Sequence, residues 1–206
     1  METMTTTASS LATRLTQGGV LAAGVLVFAK KGFTDARVED ILEAAKIARR
    51  TFYKYFSSKE DVLASIYEVA TTELLRAVRS AAEDDHEPLA SVRRALDVYL
   101  DYHVENAALV RVLVEQAVRS DSPLAPHRRR FREDLVRIID DAVHKTTKKR
   151  NDPLLYVAIL SALEGISLEV LGAGSGVAGG APATPEKVAR AKKVMHELLD
   201  LLSSPK

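Results

Sequence analysis

The sequence predicts an all-α fold of about nine helices, and three observations lead to this prediction. No run of alternating β-branched residues and no Asn-Gly or Asp-Gly hairpin signal occurs in the 206 residues. Apolar residues instead recur three and four positions apart, in segments bounded by Gly, Pro, Asp or Asn. The composition, 47% hydrophobic and 28% charged, is that of a globular protein rather than a disordered chain.

The first part of the chain predicts a polar arm followed by three helices. Residues 1–12 are mostly polar and lack apolar periodicity, so we expect a disordered arm. A long helix then runs to Gly32, a residue type that commonly follows a helix end. Apolar spacing marks a short second helix over residues 38–45. Lys46-Ile47 is a tight turn, and residues 49–56 form a short third helix.

Six further helices are predicted from apolar periodicity and start signals. Ser57 lies three residues before Glu60, the spacing of a capping box, and this predicts the start of the fourth helix. Proline is tolerated at the first helical position, and Pro88, Pro153 and Pro185 are placed accordingly. The six predicted helices span about residues 58–82, 88–105, 109–119, 131–149, 153–171 and 185–202.

The net charge of +1 hides an uneven distribution of charge. Residues 1–60 carry nine Lys and Arg against six Asp and Glu, whereas the rest of the chain is slightly acidic. The segment Lys46–Lys59 carries five cations, no acid and four of the eleven aromatic residues. A near-neutral total therefore does not argue against a nucleic-acid partner.

The third predicted helix has two chemically different faces. At about 100° per residue, Phe52 and Phe56 share one face, and Arg50 and Lys54 share the opposite one. Two aromatic side chains can anchor such a helix while its cationic face meets phosphates and base edges in a DNA major groove. The alternative is a solvated basic face, but the preceding short helix and tight turn favour a helix-turn-helix.

Residues 14–65 resemble the TetR-type transcriptional regulators. The resemblance is carried by three stretches, above all the run Thr-Phe-Tyr-Lys-Tyr-Phe-Ser-Ser-Lys-Glu at residues 51–60. The other two are Phe-Ala-Lys-Lys-Gly-Phe at 28–33 and Val-Glu-Asp-Ile at 38–41. The resemblance implies a helix-turn-helix DNA-binding domain over 13–60 and a helical effector-binding and dimerisation domain over 61–206.

The resemblance also implies which residues contact DNA. The helix over 49–56 is the recognition helix, Tyr53, Tyr55 and Lys59 match phosphate contacts, and Arg37 can reach the backbone. The operator sequence would be set by positions that vary in the family, which are Arg49, Arg50, Thr51 and Lys54. The candidate DNA-binding residues are Arg37, Lys46, Arg49, Arg50, Thr51, Tyr53, Lys54, Tyr55 and Lys59.

Three departures from the family pattern concern local geometry. Lys46 stands where the turn usually has Gly, although few non-glycine residues adopt positive φ. Ala48 replaces the usual Ser cap of the recognition helix, a loss of about 1 kcal/mol. The first helix contains Gly18, Gly19 and Gly24, each unfavourable by roughly 1 kcal/mol relative to Ala.

In this family the second domain binds a small molecule and a second copy of the chain. The candidate effector-binding residues are Tyr99, His103, Gln116, Phe131 and Tyr156. Each of them, taken alone, is also compatible with an ordinary core position, and the resemblance implies a largely apolar ligand. Helices near 153–171 and 185–202 carry more leucine and isoleucine than one buried face needs, so we expect a homodimer there and a near-palindromic operator.

Other functional classes find little support in the sequence. There is no cysteine, no His-x-x-x-His pair and no P-loop, so we expect no metal, no cofactor and no enzyme activity. The uncharged, largely apolar stretch at residues 15–29 is too short to span a bilayer, so we expect a cytoplasmic protein. The cluster Arg128-Arg129-Arg130-Arg132 is either an exposed helix start or a second contact with DNA or an acidic partner. An activator or dual regulator of the same fold stays an alternative, as does a helical interaction module or enzyme with a basic helix.

Overall fold

The computed structural model describes residues 2–83, 86–119, 121–172 and 183–203, with side chains from residue 13 to 202 within these ranges. In this part of the chain all regular secondary structure is α-helical, as the sequence predicts. The helices are α1 Glu2–Asp35, α2 Val38–Ala45, α3 Arg49–Tyr53, α4 Lys59–Ala81, α5 Pro88–Glu105, α6 Ala107–Ala117, α7 Ala125–Thr147, α8 Pro153–Val170 and α9 Pro185–Ser203.

The chain divides into two compact units. The first comprises Met1–Val69 and Val112–Ala125, and the second comprises Ala70–Arg111 and Pro126–Lys206. The predicted division into residues 13–60 and 61–206 stays a prediction. The first unit extends past residue 60 because the beginning of α4 carries part of its core.

The first helix is interrupted where the sequence predicts its end. Gly32 has φ 75° and ψ 164°, so the regular helix stops there although helical turns continue to Asp35. The backbone of α1 begins at Glu2, within the predicted arm of residues 1–12. The side chains of this arm lie outside the described residues, and its disorder stays a prediction.

The first unit has a core to which α1, α2, α3 and α4 all contribute. Fully buried side chains come from Val20 and Phe28 in α1, Ile41 in α2, Phe52 in α3, and Val62 and Leu63 in α4. Gly24 faces α4 so closely that an added Cβ would lie 2.8 Å from Val62 Cγ1 and 3.1 Å from Ile66 Cδ1. The glycine therefore permits the close approach of α1 to α4.

The turn between α2 and α3 is left-handed at Lys46. This residue has φ 53° and ψ 44°, and its N–H donates to Glu43 O over 3.2 Å. The N–H of Ile47 donates to Leu42 O over 3.2 Å, so the last carbonyls of α2 are satisfied as in a glycine-terminated helix. The chain thus builds this left-handed turn with a lysine, at the steric cost that positive φ imposes on a residue with a Cβ.

Two local predictions are wrong at their boundaries. The third helix ends at Tyr53 rather than Phe56, although the N–H of Phe56 still donates to Phe52 O over 3.0 Å. The cap of α4 is shifted by one residue, because Ser58 Oγ accepts from Asp61 N and Asp61 Oδ2 accepts from Ser57 N over 2.9 Å. Two adjacent serines and two adjacent acids allow either register, and the sequence alone does not choose between them.

The second unit is built around α5, α8 and α9. Its core contains Leu100, Leu163 and Met195. Polar pairs connect α5 to α9 at every turn: Arg93 with Asp200, Asp97 with His196 at 3.0 Å, and Asp101 with Lys192 at 2.7 Å. This spacing of four residues on both helices is the one expected of two antiparallel helices in contact.

One helix of the second unit is unusually apolar. The helix α8 is long and apolar enough to cross a membrane, although a core helix of a soluble protein meets the same criterion. Its buried positions include Tyr156, Ile159, Leu160 and Leu163. Further apolar residues, Leu154 and Val157, lie on its exposed face. Core packing on one side and the predicted dimer contact on the other together account for this composition.

Candidate nucleic-acid interface

The short helix α3 has the two faces that the sequence predicts. Phe52 is completely buried and Phe56 nearly so, with their ring centres 5.8 Å apart. On the other side Arg50 and Lys54 are exposed, and Tyr53 is 48% exposed. The ring of Tyr53 packs edge-on against Phe52 at 5.3 Å, which orients the tyrosine from below. A rigid aromatic anchor therefore supports a solvent-facing cationic surface.

The cations of this surface differ in their surroundings. Arg49 Nη2 lies 3.1 Å from Glu39 Oε1, and its guanidinium lies 5.7 Å from the ring centre of Tyr53. The hydrogen bond with Tyr53, followed by the charge of Glu39, raises the pKa of Arg49. Lys46 and Arg50 are exposed and pair with no acid in the described ranges. Glu39 and Arg49 lie on different helices, so helical spacing in the sequence does not reveal their ion pair.

The start of α2 is fixed by a small polar network. Asp40 Oδ2 accepts from the backbone N–H of Arg37 over 2.9 Å, and Asp40 Oδ1 accepts from Lys31 Nζ over 2.6 Å. These bonds, that from Lys31 first, lower the pKa of Asp40. The side chain of Arg37 is exposed beside this network. Arg37 is thus held in place by its backbone while its guanidinium faces solvent.

Two predicted phosphate contacts, Tyr55 and Lys59, interact with the protein itself. The hydroxyl of Tyr55 is hydrogen-bonded to Thr13, which lowers the pKa of Tyr55 together with the nearby ammonium of Lys54. Lys54 Nζ lies 5.2 Å from the centre of the Tyr55 ring. The ammonium of Lys59 donates to three backbone carbonyls, those of Phe33, Thr34 and Ala36. Sequence reasoning missed these roles, since the partners are 23 or more residues away.

Four of the five candidate effector residues lie in the second unit and one in the first, and their role in ligand binding stays a prediction. In the second unit Tyr99 lines an apolar cavity of about 20 Å³, together with Val92, Leu135 and Leu163 among others. His103 Nδ1 lies 2.7 Å from Tyr99 O, and burial lowers the pKa of this histidine. The hydroxyl of Tyr156 donates to Asp140 Oδ1 over 2.6 Å. Phe131 is buried in the core of the second unit, whereas Gln116 is buried in the first. The cavity has room for about one water molecule.

The outer faces of α8 and α9 form an open groove. It has a volume of about 620 Å³ and is lined by Gly165, Ile166 and Val194 among apolar residues, with Lys187, Arg190 and Glu169 at its polar edge. Leu154 and Leu201, also on these helices, are 75% and 64% exposed. Large exposed apolar side chains on two neighbouring helices are typical of a protein–protein contact surface.

The arginine cluster of α7 is partly neutralised. Arg128 Nη2 lies 2.6 Å and Arg132 Nη1 2.5 Å from the same oxygen of Glu164. Arg132 also donates to Val157 O and Ser161 Oγ. Arg129 and Arg130 are exposed. Half of the cluster thus serves packing between α7 and α8, which favours the structural interpretation over a second DNA contact.

Clusters of metal-ligating side chains are absent from the described ranges. No group of three or more His, Asp or Glu side chains there could hold a metal ion. Glu164, considered from the sequence as a possible acid or base, is paired with two arginines instead.

Comparisons with known proteins concern both the first unit and the whole fold. Residues 20–66 match the family of bacterial regulatory proteins called the tetR family. The HTH-type transcriptional repressor NicS of Pseudomonas putida is 33% identical over 101 residues, or 49% of this chain and 48% of that protein. The chain thus spans about half the length of this repressor.

Solved structures extend the similarity to the complete fold. The TetR family transcriptional regulator PfmR from Thermus thermophilus superposes with a TM-score of 0.61 and 24% identity, over 91% of this chain and 95% of that one. A tetR-family regulatory protein from Rhodococcus gives a TM-score of 0.72 at 17% identity, over 93% and 98%. At this identity the similarity shows that the folds are alike.

Proposed function

We infer that this chain, which belongs to the tetR family of bacterial regulatory proteins, is a dimeric, sequence-specific DNA-binding transcriptional repressor. The observation that best supports this proposal is the cationic face of α3, held rigidly by the buried rings of Phe52 and Phe56. The sequence match to a protein named as a transcriptional repressor supports the direction of regulation.

We assign different tasks to the exposed side chains around α3. Arg49, Arg50, Thr51 and Lys54 are the ones we expect at base edges, since arginine can bind guanine bidentately and threonine can contact a thymine methyl group. Arg37, Lys46, Tyr53 and Tyr55 are the ones we expect at phosphates, where they fix the register of the helix without reading sequence. Regulatory DNA is cytoplasmic in bacteria, and we place the protein there.

Dimerisation through α8 and α9 would give the protein its operator geometry. Leu154, Val157, Val194 and Leu201 supply exposed apolar surface on these helices. A two-fold dimer presents two copies of α3 to successive major grooves, with centres roughly 34–36 Å apart. We therefore expect a near-palindromic operator with two equivalent half-sites.

Release from DNA would follow from binding of a small, largely apolar molecule in the second unit. The apolar lining around Tyr99 is suited to such a ligand, but about 20 Å³ cannot hold one. The ligand must then favour a conformer in which this cavity is larger and DNA affinity is lower. The effect on operator binding can be no greater than the ligand's preference for that conformer.

DNA affinity measured against salt concentration tests the proposal. A labelled duplex of the DNA upstream of the protein's own coding sequence is titrated with the full chain between about 50 and 200 mM salt. Several phosphate contacts predict a fall in affinity of roughly a thousandfold or more over this range. Affinity that is absent, or unchanged by salt, contradicts DNA binding as the function.

Substitution of a single arginine distinguishes recognition of a DNA sequence from non-specific electrostatic attraction. Arg50→Ala should weaken binding to the selected duplex by about 1–3 kcal/mol and relax its preference for that sequence. The matched control is Arg94→Ala, which removes an exposed arginine from α5 in the second unit. Equal effects of the two substitutions would argue that α3 does not read the operator.

A further inference from the structure

The ammonium of Lys59 lies among three backbone carbonyls at the junction of α1 and α2. Lys59 Nζ donates to Phe33 O over 2.8 Å, to Thr34 O over 3.1 Å and to Ala36 O over 2.8 Å. A lysine ammonium has three N–H donors, so each carbonyl accepts one of them. All hydrogen-bonding capacity of this side chain is therefore used within the first unit.

The junction needs such a partner because of how α1 ends. Gly32 leaves the helical conformation, and the carbonyls that follow belong to the last turn of α1 and the short connection to α2. Carbonyls at a helix end have no intrahelical partner, and a lysine is well suited to satisfy them. The ammonium of Lys59, the first residue of α4, therefore satisfies carbonyls at the end of α1 and in the connection to α2.

An aromatic residue supports the same cation. Lys59 Nζ lies 4.6 Å from the ring centre of Phe33, a distance at which the ring face attracts a cation. The ring of Phe33 packs edge-on against Phe28 at 5.4 Å, and Phe28 is fully buried in the core of the unit. The position of the ammonium is thus coupled to the core by packing as well as by hydrogen bonds.

We propose that Lys59 is a positioning residue for DNA binding, which fastens the α1–α2 junction to the first turn of α4 and does not itself contact a phosphate. This inference rests on the proposed DNA-binding function. Held in this way, α2, the turn at Lys46 and α3 form one rigid head with the beginning of α4. The orientation of Arg50 and its neighbours toward DNA then depends on the hydrogen bonds of Lys59, which make no contact with DNA.

To contact a phosphate, the ammonium of Lys59 would have to break hydrogen bonds that it makes with the three backbone carbonyls. Each carbonyl that lost its donor would have to find another, because an unsatisfied polar group at a half-buried site is costly. Lys46, by contrast, is exposed, and its ammonium pairs with no acid in the described ranges. The two lysines therefore predict different experimental signatures.

The dependence of DNA affinity on salt distinguishes the two roles. Removing a cation that neutralises a phosphate makes the slope of log affinity against log salt shallower by about 0.9. For Lys59→Met we expect DNA affinity to fall by roughly tenfold or more while that slope stays at its wild-type value, and the melting temperature to fall. For Lys46→Met, the matched control at a proposed phosphate contact, we expect the shallower slope with an unchanged melting temperature. The probe is a labelled duplex enriched by the wild-type full chain from a random pool.

Lys59→Arg gives the second, independent comparison. Arginine keeps the charge and binds phosphate well, but its planar group cannot direct one donor to each of the three carbonyls. A positioning role predicts weakened binding by this folded variant, with the helical circular dichroism signal preserved, and this comparison also decides if Lys59→Met fails to fold. Wild-type affinity for Lys59→Arg, or a shallower slope for Lys59→Met, would overturn the proposal. Failure of the wild-type chain to enrich any duplex would instead contradict the proposed function itself.

Discussion

Neighbouring arginines on α3 have different electrostatic surroundings. Arg49 pairs with Glu39 at 3.1 Å, whereas Arg50 has no acidic partner in the described ranges. Both members of the pair are more than half exposed, and such pairs contribute little to folding stability. If Arg49 contacts DNA as proposed, we expect the main effect of Glu39 to be competition with DNA for this arginine.

Substitution of Glu39 tests this competition. In Glu39→Gln we expect tighter DNA binding and a slope against salt that is steeper by up to about 0.9, since the guanidinium of Arg49 becomes available to DNA. Unfolding free energy should change by less than about 0.5 kcal/mol. Glu43→Gln, an exposed acid on the same helix, controls for the loss of one negative charge. Identical salt slopes for the two variants would mean that the ion pair has no such role.

His103 makes the stability of the second unit depend on pH. Burial, its largest influence, lowers the pKa of His103 below 6.5, because a charged ring would lose its hydration. The folded state therefore favours the neutral ring, and its contribution is complete above pH 6.5 and is lost as pH falls through the lowered folded value.

Urea unfolding between pH 5 and 8, a range chosen about the ordinary histidine pKa of roughly 6.5, measures this dependence. We expect the unfolding free energy of the wild-type chain to decrease on acidification more steeply than that of His103→Gln. His86→Gln, at an exposed histidine, should retain the wild-type profile. Parallel profiles for all three proteins would exclude His103 as the source.

Among helices, sequence periodicity predicted order and number well but boundaries less well. The start of α7 at Ala125 was hidden because Pro126 suggests a loop, although proline fits the first turn of a helix. The end of α3 was placed too late because Phe52 and Phe56 keep helical spacing through a turn that follows Tyr53. Periodicity records which side chains are buried together, and a turn can bury them as a helix does.

Contacts between residues far apart in the sequence could not be predicted from the sequence. Lys59 carries a family motif, yet its bonds to residues 23–26 positions away became visible only in the fold. The reverse holds for Phe52 and Phe56, whose burial follows directly from helical spacing. The anchoring of the candidate interface was thus predictable, and the partners of its cations were not.

The packing of α1 against α4 depends on Gly24. An added Cβ would lie 2.8 Å from Val62 Cγ1, so Gly24→Ala must displace a buried side chain. We expect a loss of about 1–3 kcal/mol in unfolding free energy, despite the better helix propensity of alanine.

Gly19→Ala is the matched control on the same helix. A Cβ at Gly19 meets nothing within 4 Å, and we expect a gain of up to about 1 kcal/mol in thermal unfolding experiments. The sizes of the two effects need not match. An increase in unfolding free energy for Gly24→Ala would contradict the close approach of α1 and α4.

At the scale of the whole molecule, the proposed mechanism requires a dimer. Leu154, 75% exposed on α8, is the most exposed large apolar residue of the proposed dimer surface. In Leu154→Glu we expect the dimer dissociation constant, measured by sedimentation, to rise by at least about 30-fold, as for a central interface residue.

Val118→Glu provides the control for this substitution. Val118 is 57% exposed but lies in the first unit, away from α8 and α9 in sequence and outside the proposed dimer surface. It should remain dimeric at concentrations where Leu154→Glu is monomeric. If both variants stay dimeric, the surface of α8 does not join the two copies.

The charge distribution of the whole chain fits a protein that binds DNA through a small part of itself. The total of +1 combines a recognition segment of five cations and no acids with a slightly acidic remainder. Attraction to DNA is thereby concentrated at α3, and unspecific attraction over the rest of the surface is small.

Nuclease protection of the DNA upstream of the protein's own coding sequence tests dimeric, sequence-specific DNA binding. We expect one protected, near-palindromic site whose two half-sites lie about one or two helical turns apart, and whose protection is lost in Arg50→Ala. Protection that is absent, or spread evenly along the fragment without a repeated half-site, would contradict a dimeric, sequence-specific DNA-binding regulator.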